Sequence, residues 1–160
     1  ITGETGELEY EKLGNREMPM LNVIAITGKT DKSKEDIVKD TKALAKTHLS
    51  GGEWCDNASG LMAYKRLIDI LKSDDPSLAA GWGMEYALGT FAPLKWYAWK
   101  FFEKYNEATL AGLYKTVYES WIQAFELKKT SGMSDADSRK KAVELLQTAY
   151  DAECRAAEIM

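Results

Sequence analysis

The side chains in this chain that could do chemistry are few, and their spacing does not favour it. His48 is the only histidine, and the two cysteines are Cys55 and Cys154. A zinc site needs several His or Cys ligands converging on one ion, so this set makes no standard metal centre. The 25 Asp and Glu residues include no Glu-x-x-His pair of the kind that helps hold a di-iron centre in a helical bundle. A nucleophilic triad would have to use His48, and no nucleophile-elbow pattern accompanies it. Gly28-Lys29-Thr30 follows an apolar run and precedes a helix, the layout of a nucleotide-binding loop. That loop also needs a glycine at position 23 to wrap phosphate with backbone N–H groups, and position 23 is Val. No catalytic or metal-ligating residue is assigned, and no cofactor is expected. His48 retains one functional reading, as an axial ligand to a haem or chlorophyll between helices. Its plain alternative is a half-exposed histidine near a helix C-terminus, where positive charge is favoured.

The aromatic residues are more distinctive. Trp82, Tyr86, Phe91, Trp96, Tyr97, Trp99, Phe101, Phe102 and Tyr105 fall in one stretch. Positions 96, 97, 99, 101 and 102 surround a helix and cannot all face one core. Either this helix is sandwiched at the centre of the fold, or part of its aromatic set lies at the surface. Exposed Trp and Tyr interleaved with Lys95, Lys100 and Lys104 suit a protein interface or a membrane-surface contact. The residues assigned to an interface are Trp82, Tyr86, Trp96, Tyr97, Trp99, Phe102 and Tyr105.

Composition limits the partners. The net charge is −4, and lysines in 29–46 alternate with Asp31, Glu35, Asp36 and Asp40, which reads as a solvated helix face. No basic face is available to neutralise phosphates, so nucleic acid is not expected as a partner. Charges interrupt every long apolar run, so no transmembrane helix is expected and the protein reads as soluble. The start at Ile1 fits a mature chain in an organelle lumen or after export, or a trimmed chain. Cys55 and Cys154 either pair or remain two thiols. Asn57-Ala58-Ser59 matches a glycosylation acceptor, but Asn57 or Asp56 also serves as a helix cap.

The elements that must position these residues are mostly helical. Residues 1–20 are acidic and irregular, and Leu21 to Ile26 is a short β-branched run. Ser33 caps a helix over 34–49 with Ile37, Thr41, Leu44, Ala45 and His48 on one face. A second helix covers 58–72, with Leu61, Tyr64, Leu67, Ile68 and Leu71 inward. The segment 77–91 is apolar on most sides, with glycines that invite a break. Pro93 opens a long helix to about Lys129, bent near Asn106, with Leu110, Leu113, Tyr114, Val117, Trp121 and Phe125 as its stripe. Ser134 and Asp137 resemble a capping box for the last helix, whose inward residues are Ala142, Leu145, Leu146, Ala149 and Ala156.

The expected fold is all-α: a four- to five-helix bundle over 31–160 behind an irregular acidic N-terminal arm over 1–30. Its layout resembles helical subunits attached to larger assemblies, such as extrinsic subunits of membrane complexes. The expected function is a non-enzymatic accessory or scaffold subunit. Its partner would be a protein, in a large or membrane-associated complex. The alternative is a carrier of a hydrophobic ligand or pigment, with His48 beside it. An enzyme comes third, because no acid–base or nucleophile arrangement can be named.

Overall fold

A computed structural model of the chain describes residues 28–29, 31–54 and 57–160. The arm over 1–20, the apolar run 21–26 and any pairing of Cys55 lie outside these residues. So does Thr30 of the Gly28-Lys29-Thr30 loop. Among the described residues the chain is all-helical apart from one short strand pair.

Helix α1 spans Lys34–Ser50, and Ser33 Oγ accepts from the Asp36 N–H at 3.0 Å as its cap. Its packed face is turned from the expected one. Ile37, Val38, Thr41, Lys42 and Ala45 are half-buried and Leu49 is buried, whereas Leu44 and His48 are exposed. A five-residue heptad-like stripe leaves a helix's rotation free by a residue or so; the buried Leu49 fixes it here.

The connection to the next helix is a tight turn rather than a simple loop. Strands β1 (Glu53–Trp54) and β2 (Asn57–Ala58) pair antiparallel, with Glu53 opposite Ala58. Helix α2 therefore begins later than expected, at Leu61–Lys72, and its N-cap is Gly60 rather than Asp56 or Asn57. Gly51 (φ +51°) and Gly60 (φ +59°) face each other across this turn. A Cβ on Gly60 would lie 2.4 Å from the His48 carbonyl oxygen, and one on Gly51 2.2 Å from that of Ser59. Only glycine permits backbone to meet backbone this closely.

After the single turn α3 (Ser77–Ala80), helix α4 runs Trp82–Lys104 straight through Pro93. Pro93 was expected to open this helix. It is tolerated inside because it faces outward, where water can serve the carbonyl its missing N–H leaves free. The expected bend near Asn106 is a full break. Asn106 has φ 60°, a left-handed conformation that Asn adopts more easily than most residues, and α5 starts afresh at Ala108–Ser131. Gly132 (φ 69°) ends α5. Helix α6, Ala136–Ile159, is capped by Asp135, whose Oδ1 accepts from the Ser138 N–H at 2.7 Å. The cap thus sits one residue beyond the expected Ser134.

Helices α4 and α5 form an antiparallel hairpin, α6 packs on α5, and α2 packs on α6. The interior falls into two clusters. One gathers Tyr64, Ile68 and Leu71 of α2 with Met84, Leu88, Val117, Trp121 and Leu146. The other gathers Phe102, Leu110, Ala111, Tyr114 and Ala156 near the α4–α5 turn. Lys128, buried on α5, fastens the far end: its ammonium donates to the carbonyls of Ala80 and Gly132.

Candidate functional site

The aromatic residues of α4 divide by helical phase. Met84, Leu88, Ala92 and Phe102 point into the core. Trp82, Tyr86, Pro93 and Tyr97 recur at steps of four, seven and four along the opposite side, with Trp96 beside them. Trp82 is 74 % exposed and Tyr97 59 %. Trp82 stacks on Tyr86 at 5.0 Å between ring centres, and Trp96 meets Tyr97 edge-on at 5.0 Å. Tyr118 and Ile122 of α5 join Pro93, Trp96 and Tyr97 around a shallow depression, so the apolar surface continues onto the next helix.

Three of the residues assigned to an interface behave differently. Phe102 is 2 % exposed, stacked on Tyr114 in the core, and is no surface residue. Trp99 is half-buried against Tyr118, with Lys100 Nζ 3.8 Å above its ring. Tyr105 is half-buried against Phe101 at the helix end. The ridge proper is Trp82, Tyr86, Trp96 and Tyr97.

A second feature lies between the two core clusters. Glu153 of α6 is 1 % exposed and receives a hydrogen bond from Lys95 of α4 at 2.7 Å on Oε1. Its Oε2 is buried without a hydrogen-bond partner. Trp121 Nε1 donates to the Tyr64 hydroxyl at 2.6 Å, and Lys95 Nζ stands 5.7 Å from the Tyr64 ring. Burial, and then the Glu153 carboxylate, push the Tyr64 hydroxyl far above its usual pKa and raise Tyr114 in the same way.

This polar layer borders a cavity of about 350 Å³. Leu49, Ala63, Leu67, Phe91, Leu94 and Trp121 supply apolar walls, and Tyr64, Lys95 and Glu153 the polar ones. His48 lies on its lining from the exposed end of α1. A wider groove of about 660 Å³, between α1 and the α4–α5 turn, carries Lys34, Lys39, Lys42 and Lys104 with Glu35 and Glu107. Lys42 is already paired with Glu107 at 2.7 Å.

Lys95 and Glu153 escaped the sequence reading because they lie far apart in the chain. One signal was available: Glu153 interrupts the inward series Ala149, Ala152, Ala156, and a charge on an inner helical face needs a partner. Among the described residues no group of three or more His, Cys, Asp or Glu could hold a metal ion. None of the described helices is long and apolar enough to cross a membrane. Comparison with protein-family models, with curated proteins and with solved structures finds no match to this chain.

Proposed function

We propose that this protein is a non-enzymatic accessory or scaffold subunit, a helical bundle that docks on a larger protein assembly through the outer side of α4. The supporting observation is the row Trp82, Tyr86, Trp96 and Tyr97, exposed on the side opposite the core. Large apolar side chains exposed along one side of a helix mark contact surfaces, and burying each is worth roughly 1.5–3 kcal/mol. Trp and Tyr are also the residues that most often carry interface energy. The acidic 1–30 segment offers a second contact through charge.

The test compares the full chain with the double variant Trp82→Ser/Tyr97→Ser. Both are immobilised and exposed to an extract of the source cells. The expected result is retention of one multisubunit assembly by the wild type, and at least about tenfold weaker retention by the variant. Both substituted side chains are exposed, so thermal stability should be unchanged. Identical retention by the two proteins would sink the docking role.

A second reading, carriage of a small hydrophobic ligand between helices, draws support from the cavity beside His48 and its apolar walls. The two roles use different surfaces.

A further inference from the structure

Glu153 presents a problem that packing alone does not solve. A carboxylate oxygen buried without a partner costs free energy, and nearly all buried polar atoms find one. Here Oε1 is served by Lys95, and no hydrogen bond reaches Oε2, although the Tyr64 hydroxyl also faces this carboxylate. Glu153 also lines the cavity, whose size falls at the small end of small-molecule sites.

We infer that the cavity binds a small, neutral, mostly apolar molecule that donates one N–H or O–H hydrogen bond to Glu153 Oε2. This rests on the carrier reading and narrows it to a chemical class. Neutrality follows from the charges present: Lys95 already balances Glu153, and a second cation beside that ammonium would be repelled. The donor requirement follows from the unserved acceptor. The apolar body follows from walls made of Leu49, Ala63, Leu67, Phe91 and Leu94. Phe91 and Leu94 are themselves exposed at this edge of α4, so a ligand body seated between them would cover apolar surface now in water.

Indole and benzofuran are suitable probes. They have nearly the same shape, but indole has an N–H donor and benzofuran has none. Each is titrated into the full-length protein, with binding read from NMR shifts of Ala63, Leu67 and Leu94. The wild type should bind indole at least about tenfold more tightly than benzofuran, since hydrogen bonds to buried charged groups are worth about 1.5–3 kcal/mol. Glu153→Gln keeps an amide oxygen for Lys95 and places an NH₂ where Oε2 stood. It should abolish that preference. The double variant Lys95→Met/Glu153→Met removes both charges at similar volume and should do the same, which guards against loss of fold in either variant. Equal binding of both probes by the wild type overturns the donor requirement, with the Tyr64 hydroxyl then serving Oε2 from within, while the carrier reading stands. Absence of any shift at the three residues with either probe overturns both.

Discussion

Tyr64 and Tyr114 tie the polar layer to a measurable property. Each has a pKa above the ordinary 10.0, first through burial and then through the Glu153 carboxylate. Below about pH 10 both are protonated whether the chain is folded or not, and their contribution to stability is complete. Above that pH the unfolded chain releases protons that the folded chain keeps. Stability then falls as pH rises, by up to about 1.4 kcal/mol per pH unit for each residue. Urea midpoints should change little between pH 9 and 10 and fall between pH 10 and 11, and Tyr64→Phe should roughly halve that fall. A midpoint flat across this range would show that the two hydroxyls ionise without unfolding. Tyr64→Phe should also lower stability at pH 7 by about 1–2 kcal/mol, because the buried Trp121 N–H loses its acceptor. Tyr64 was legible in the sequence as an inward residue of its helix. Its bond to Trp121, 57 positions away, was not, because both residues matched ordinary apolar stripes.

At the scale of elements, the α1–α2 turn is the sharpest constraint. Gly60 has φ +59° and ψ −138°, and a Cβ there would meet two backbone carbonyl oxygens within 2.6 Å. A side chain could not be accommodated by rotating a neighbour, since the obstacles are main chain. Gly60→Ala should therefore destabilise the fold by at least about 2 kcal/mol, seen as a lowered urea midpoint, and should disturb the NMR signals of Leu49 and Ala63 beside the cavity. A stability within about 0.5 kcal/mol of wild type would mean the turn can rebuild. The elements the sequence made legible were those with local signals: the Ser33 cap, the Tyr64–Ile68–Leu71 stripe, and the Leu110–Tyr114–Val117–Trp121 stripe. Those it misplaced depended on context. Pro93 usually starts a helix, and only its outward position lets α4 continue through it. Asn106 gives a weaker break signal than Gly, yet its left-handed backbone ends α4 completely. Gly60 falls inside the helix expected over 58–72; its close approach to Gly51 exists only once the turn has closed.

Across the whole molecule, stability is distributed unevenly. Helices α5 and α6 carry buried residues along most of their length and face two or more neighbours each. Helix α1 buries only Leu49, and Leu44 stands exposed on its surface. It is tied at one end by the Gly51–Gly60 turn and elsewhere by the Lys42–Glu107 ion pair. Partly exposed ion pairs add little to stability. A helix with so little apolar burial opens at far lower free energy than the global transition. Native-state hydrogen exchange should accordingly show amides over Val38–Thr47 exchanging at least about a hundredfold faster than those over Tyr114–Ala124. Equal protection of the two helices would mean that α1 belongs to the same cooperative unit as the core. The same experiment bears on the cavity, because His48 and Leu49 form one wall of it. If α1 opens independently, a ligand has an entrance that requires no movement of α4, α5 or α6. Indole bound at Glu153 should then slow exchange at the C-terminal end of α1 selectively, while a partner docked on Trp82 and Tyr97 should leave it unchanged. That contrast follows from geometry: the ridge and the cavity lie on different sides of α4, and only the cavity touches α1.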